Sequence, residues 1–268
     1  ALGISNPGLT CYLVTFALLG IGNTILQVAL NPLLTNVVPG SQLTGAMTAG
    51  QFVKALSSLL GPQIVLLSAH RLGNWNYVFP IYAAVTLCSS LWLRFTHIPR
   101  EAGADTAPAS FRSAFALLGD PFLMRLFLCI LLIVGIDIGM NFFIPVIFHD
   151  AFHVENAAHM NTLYFAARAV GSFLCAFLLV RFPAKKILFW TMAAAVAAYV
   201  VMMSLTLQPE GSLFARTLFC ILFLPVGFAT ANVFSIIFSF ALRHRPEQAD
   251  LISSLLIMGV AGGGAVTF

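Results

Sequence analysis

The chain has 268 residues, of which 60% are hydrophobic and only 8% are charged; its net charge is +4 and its mean hydropathy is +0.96. Soluble domains carry about 25% charged residues, so this composition excludes an exterior that faces water throughout. The basic residues are scattered in short clusters between apolar runs, which excludes a nucleic-acid-binding face. The five cysteines lie inside apolar segments at irregular spacing, which indicates packing and not disulfides or a metal site.

Eight apolar runs follow one another along the chain, and each is near the ~20 residues that a helix needs to cross a bilayer. Within lipid such runs must form helices that satisfy their own backbone hydrogen bonds. The predicted fold class is therefore an all-α polytopic membrane protein, with spans at about 12–36, 43–69, 76–95, 122–147, 161–181, 186–207, 213–242 and 250–268. The sequence begins and ends within apolar stretches, so we expect an internal piece of a longer protein.

One connection, from Thr96 to about Phe111, is longer than the others and is rich in polar and small residues. It is the candidate linker between two groups of helices. We therefore expect part of an N-terminal helix bundle at 1–95, an inter-bundle linker at 96–121 and part of a C-terminal helix bundle at 122–268.

The lysines and arginines are distributed unequally between the two sides of the predicted membrane. Nine of the 13 lie in the linker or in loops on its side, two lie on the opposite side, and two lie within spans. Cytoplasmic loops carry an excess of Lys and Arg. The asymmetry predicts that the linker 96–121 is cytoplasmic and that the loop 149–161 faces outward.

Three formal charges remain inside the predicted spans: Lys54, Asp137 and Arg168. A charge at the bilayer centre costs about 2.5–3.5 kcal/mol on insertion scales, so these side chains should face a bundle interior or a wet cavity. They form either a substrate, proton or gating site, or a buried ion pair that only holds helices together. Arg168 either snorkels toward the outer surface or pairs with Asp137.

Several uncharged polar residues accompany these charges. Asn23, Gln27 and Asn31 are spaced four apart and share one face of the first span, Gln51 lies one turn before Lys54, and Asn141 lies one turn after Asp137. Amides both donate and accept hydrogen bonds, as sugar hydroxyls require. The alternative is ordinary hydrogen bonding between helices, worth about 0.6 kcal/mol on average.

Glycines spaced for close helix approach recur at Gly135 and Gly139, at Gly259 and Gly263, at Gly20 and Gly22, and at Gly171. Gly61-Pro62 is expected to break the second span. No GxSxG, HExxH, CxxC or P-loop motif is present, and no two histidines are spaced i, i+4 on a span. We therefore predict no enzyme activity, no cofactor and no metal site.

Several segments together resemble the fucose–galactose–glucose:proton symporter family of the major facilitator superfamily. They are 22–32 (GNTILQVALNP), 47–52 (MTAGQF), 134–141 (VGIDIGMN), 164–171 (YFAARAVG), 233–239 (VFSIIFS) and 253–263 (SSLLIMGVAGG). The resemblance implies a fold of twelve helices in two bundles, of which this chain holds the fourth to the eleventh. It also implies a glutamate linked to proton coupling at the position of Gln27, and an amide cannot be protonated in that role.

The combined interpretation is a secondary transporter that moves a monosaccharide-like solute by alternating access and is coupled to a proton or to sodium. The alternatives are a transporter of the same fold for an organic anion, acidic sugar or drug, and a non-transporting membrane receptor or scaffold. We predict that the solute binds Asn23, Gln27, Asn31, Gln51, Lys54 and Asn141, while Asp137 and Arg168 couple the ion or gate the site. We expect a multi-pass monomer in the lipid bilayer of the cell (inner) membrane, without a nucleic-acid partner.

Overall fold

The apolar runs form long helices, and their ends follow local capping chemistry. The computed structural model describes residues 8–96, 110–155, 157, 160–207 and 212–266. Within those ranges the α-helices are α1 (Leu9–Val37), α2 (Leu43–Leu72), α3 (Val78–Phe95), α4 (Phe111–Ala116), α5 (Pro121–Asp150), α6 (Met160–Arg181), α7 (Ala184–Thr206), α8 (Leu213–His244) and α9 (Ala249–Val266).

The eight predicted spans are confirmed. Among the described residues, eight helices are long and apolar enough to cross a membrane: α1, α2, α3 with the short 3-10 turn Trp75–Tyr77 before it, and α5 to α9. Half of the predicted linker, residues 97–109, lies outside the described residues. The rest of it contains the short helix α4, whose Ala114 is buried and which packs against α9.

The predicted break at Gly61-Pro62 is wrong, since α2 runs without interruption through Pro62. A proline inside a transmembrane helix leaves only one or two backbone groups to satisfy, and neighbouring groups absorb them. The helix ends instead at Gly73, which adopts the left-handed conformation with a φ of 72°. Glycine adopts that conformation without steric cost and is therefore the common residue just past a helix.

Helix α8 is the centre of the described bundle. It packs against α2, α5, α6, α7 and α9, and 67% of its most apolar stretch is buried, against 0% for α1. Around it, α5 packs mainly along α9, and α6 packs along both α2 and α8. The contacts between the predicted N-terminal and C-terminal groups are therefore made chiefly by α2 with α6 and α8, and by α1 with α9.

The two helix groups are joined near the end of the molecule where α2 and α5 begin. We call the buried cluster there the linker-side core; it contains Leu43 and Met47 of α2 together with Leu123, Ile237 and Leu256 of α5, α8 and α9. A second cluster, the outer core, takes all its buried members from residues 144–226, within one group. The apolar packing thus connects the two groups on the linker side.

Polar contacts reinforce the linker-side connection. Thr44 Oγ1 of α2 lies 2.7 Å from Ser239 Oγ of α8, and Arg243 Nη2 donates a hydrogen bond to Thr44 Oγ1 at 3.2 Å. Both Thr44 and Ser239 are fully buried, so their mutual hydrogen bond satisfies groups that would otherwise be costly to bury.

Asp120 ties the start of α5 to the end of α8. Its carboxylate accepts a hydrogen bond from the Phe122 N–H at 2.9 Å and from Arg245 Nη2 at 2.8 Å, and it lies 3.0 Å from His244 Nε2. The His244 hydrogen bond, followed by that of Phe122, lowers the pKa of Asp120 to about 2. The group therefore stays ionised and keeps these contacts at neutral pH.

Glycines bring the backbones of α6 and α8 into contact. A Cβ atom added to Gly171 would lie 2.6 Å from the Cα of Phe228, and one added to Gly227 would lie 2.9 Å from the N atom of Arg168. Gly263 similarly meets the backbone of Leu131 on α5. At Gly20 and Gly22, by contrast, nothing within the described structure lies within 4 Å of the added atom, so no close approach occurs there.

We predict that Gly171→Ala destabilises the protein by ~1–3 kcal/mol, because the new methyl group would overlap backbone atoms that cannot rotate away. The matched control is Gly20→Ala, where the added atom meets open space and alanine favours the helix by up to ~1 kcal/mol. Thermal unfolding in detergent, followed by circular dichroism, measures both. Equal midpoints for the two variants would contradict the close contact between α6 and α8.

Candidate functional site

An ion pair joins two of the three charges predicted inside the spans. Arg168 Nη1 of α6 donates to Asp137 Oδ2 of α5 at 2.9 Å, and the two side chains are 19% and 21% exposed. Asp137 lies near the middle of α5, far from either end. Of the two alternatives for Arg168, snorkelling or pairing, the structure shows pairing.

A tyrosine completes the carboxylate's partners. The Tyr164 hydroxyl donates to Asp137 Oδ1 at 2.7 Å and lies 3.1 Å from Thr230 Oγ1 of α8. The guanidinium carbon of Arg168 lies 5.9 Å from the centroid of the Tyr164 ring, within cation–π range. Both carboxylate oxygens of Asp137 therefore accept hydrogen bonds, and three helices contribute to one polar cluster.

Tyr164 and Thr230 were not predicted from the sequence. A signal for Tyr164 was present, because it lies four residues before Arg168 and so on the same face of α6. A tyrosine in an apolar span also needs a partner for its hydroxyl when it is buried. For Thr230 no local signal existed, since its contact depends on how α6 and α8 pack.

Asn141 extends the cluster along α5. Its Nδ2 donates to the Asp137 backbone carbonyl at 2.7 Å, and its backbone carbonyl accepts from Asn161 Nδ2 of α6 at 2.9 Å. Part of the predicted binding capacity of Asn141 is thus used within the protein. Its Oδ1 atom remains buried without a protein partner.

Four buried polar atoms of the cluster lack a protein partner within the described structure: Asn141 Oδ1, Asn161 Oδ1, Arg168 Nε and Tyr199 Oη. Tyr199 lies on α7, partly buried, and interacts electrostatically with Asp137 and Arg168. Together the four supply two acceptors, a donor and a hydroxyl that is both. Buried polar groups of native proteins are almost always paired, so these atoms indicate a place for water or a solute.

Lys54 of α2 faces this cluster from the other helix group. It interacts electrostatically with both Arg168 and Asp137. Its side chain is exposed in the described structure. Within the described part of the chain no carboxylate lies within 4 Å of its ammonium group.

The other predicted amides are not joined to this cluster. On α1, Asn23 is exposed and Gln27 and Asn31 are half-buried, while on α2 Gln51 is half-buried. Across the described residues, no hydrogen bond connects any of these four side chains to Asp137 or Arg168. Their role in binding the solute stays a prediction.

Eight apolar helices around charged and amide side chains at membrane depth define a polytopic membrane protein with the architecture of a transporter. The chain belongs to the Major Facilitator Superfamily, whose family model matches residues 1–268. The match confirms the predicted superfamily. It also confirms the prediction that the chain is a membrane transporter and not an enzyme.

Two solved structures share the fold. The chain matches the transporter FucP in its outward conformation with a TM-score of 0.75 and 18% identity, covering 97% of this chain and 68% of that one. It matches a variant of the E. coli fucose:proton symporter FucP with a TM-score of 0.74 and 18% identity, covering 97% and 69%. No curated protein matches the chain by sequence. This shared fold agrees with the symporter family that the sequence segments resemble.

We predict that Asp137→Asn and Arg168→Gln interact in a double-mutant cycle of the free energy of unfolding, with a coupling energy of ~0.5–3 kcal/mol, because each variant removes the same ion pair. Denaturant unfolding in mixed micelles measures it.

The control cycle pairs Arg168→Gln with Asp150→Asn. Asp150 is exposed at the end of α5 and contacts His149, so this cycle should be additive. Additivity in the Asp137 cycle would show that the pair does not contribute to the folded state.

Proposed function

We propose that this protein is a proton-coupled secondary transporter of a monosaccharide-like solute, working by alternating access as a monomer in the inner membrane. The observation that carries this proposal is the Asp137 carboxylate, held by Arg168 and Tyr164 at membrane depth beside unpaired polar atoms. A titratable group inside a membrane bundle is most often part of a substrate or ion pathway.

The hydroxyls of a sugar match the unpaired atoms of the cluster. Asn141 Oδ1 and Asn161 Oδ1 accept, Arg168 Nε donates and Tyr199 Oη does either, so the hydroxyl groups of a sugar can pair with each kind of atom. Asn23, Gln27, Asn31, Gln51 and Lys54 are proposed to contribute from the opposite helix group. The solute thereby binds both groups and is enclosed between them, as in other transporters with two bundles.

Proton coupling is favoured over sodium coupling by the partners of Asp137. Tyr164 and Arg168 present N–H and O–H donors to its two oxygens, whereas sodium requires oxygen lone pairs, commonly those of unwound backbone carbonyls. Helix α5 is continuous past Asp137. A proton on Asp137 removes the negative charge that holds Arg168, and so changes how α5 and α6 are bound to each other.

The described packing fits a state that is closed toward the linker. The linker-side core and the contact of Thr44 with Ser239 join the two helix groups there, while the outer core lies within one group. Alternating access then consists of opening this connection while the outer ends approach each other. In this proposal the linker 96–121 lies in the cytoplasm, and helix groups 1–95 and 122–268 are the moving bodies.

We predict that Asp137→Asn abolishes accumulation of the solute against its gradient but leaves exchange of labelled for unlabelled solute. The amide keeps the size of the side chain but cannot take up a proton at neutral pH. Uptake and counterflow in proteoliposomes with an imposed pH gradient measure the two activities separately.

Asp150→Asn is the matched control, since it also removes one carboxylate from α5 but from an exposed position. It should accumulate solute as the parent protein does. Concentrative uptake by Asp137→Asn would show that another group carries the coupling proton.

A further inference from the structure

Lys54 carries a charge that no carboxylate among the described residues pairs with. It is the one cation in the described interior of the spans without a carboxylate within 4 Å, whereas Arg168 has Asp137. The other charges on the described helices lie within about two turns of a helix end. A charged side chain at membrane depth most often marks a substrate or ion pathway, and Lys54 is exposed there without a carboxylate beside it in the described structure.

The three interior charges sum to one net positive charge, since two cations share one carboxylate. In the low-dielectric surroundings of a membrane this excess charge attracts an anion and repels a cation. Asp137 carries one negative charge and is already paired with Arg168, so it cannot balance both cations. The missing negative charge must therefore arrive from outside the described structure.

We propose that the transported solute is a sugar acid, whose carboxylate binds Lys54 and Arg168 while its hydroxyls bind the unpaired atoms beside them. This inference rests on the proposed function and adds a carboxylate to the monosaccharide. An inorganic anion without a proton, such as chloride or sulfate, is a poorer match, because it has no donor for Asn141 Oδ1.

The charge balance of transport supports a solute with one negative charge. When a proton binds Asp137, Arg168 loses its partner, and the solute carboxylate replaces it. The loaded site then holds a neutral Asp137, two cations and one solute anion, which gives the same net positive charge as the empty site. A neutral sugar carried with a proton would raise the charge of the enclosed site by one, at a cost in a low-dielectric interior.

The test uses matched pairs of sugars that differ only in the group at C6. Labelled uptake into proteoliposomes is compared for galactose and galacturonate, glucose and glucuronate, and mannose and mannuronate, under the same imposed pH gradient. We expect a uronate to be taken up at least about tenfold faster than its neutral partner, which is a modest effect for a charge-assisted contact.

The outcomes separate this inference from the proposed function. Uptake of a neutral sugar equal to or faster than that of its uronate overturns the inference but leaves proton-coupled sugar transport intact. Uptake of neither member of any pair, with no competition by either, overturns both.

Substitution of Lys54 tests the residue itself. Lys54→Gln should lower the ratio of uronate to neutral-sugar uptake at least about tenfold, because it removes the charge that the carboxylate contacts. Lys54→Arg, which keeps the charge, should restore most of the ratio. Lys185→Gln is the matched control, since Lys185 is exposed at the start of α7 and loses the same charge. A ratio that is unchanged in Lys54→Gln overturns the assignment of Lys54.

An electrical measurement checks the charge balance independently of affinity. Symport of one proton with one uronate moves no net charge, so potassium–valinomycin potentials of either sign should leave the uptake rate unchanged. A rate that rises with an inside-negative potential would show net positive charge movement and would overturn the proposed balance.

Discussion

The ion pair between Asp137 and Arg168 links α5 and α6, two helices that otherwise pack little against each other. Helix α5 packs mainly along α9, and α6 packs along α2 and α8, while α5 and α6 contact each other little. A charge at the centre of a bilayer costs about 2.5–3.5 kcal/mol, so either residue alone would be unfavourable at this depth. Pairing fixes the rotation of α5 and α6 about their axes, because both charges must point at each other.

The close approach of α6 and α8 gives this polar cluster its third helix. Gly227 lies against the backbone of Arg168, and Gly171 lies against Phe228, so no side chain separates the two helices. Thr230 follows Gly227 by about one turn and therefore reaches the Tyr164 hydroxyl, which in turn reaches Asp137. Small residues at a tight apolar contact thus set the geometry of a polar site that is several residues away.

The sequence predicted the parts of this structure that depend on composition and on one helix at a time. The eight spans follow from lengths of apolar sequence, and the presence of Asp137 and Arg168 in a bundle interior follows from the cost of burying charge. Helix periodicity gives the face of a residue but not the rotation of its helix relative to the next. For that reason Thr230 and Tyr199 were missed, and the amides of α1 were grouped with Asn141 although the structure shows no hydrogen bond between them. Helix α4 was missed because six residues are too few for a periodic signal.

The distribution of charge between the two helix groups bears on how binding and movement are connected. In the group with α5 and α6, the negative charge of Asp137 and the positive charge of Arg168 balance each other. In the described part of the opposite group, no carboxylate lies within 4 Å of Lys54. A solute that contacts only one group would have no reason to draw the two together, whereas one that binds Lys54 and the Asp137 cluster contributes a favourable contact only when both are near. A ligand shifts a conformational equilibrium only through the difference in its affinity for the two states. Such a solute binds more tightly when the two helix groups are close, so its free energy of binding favours their approach.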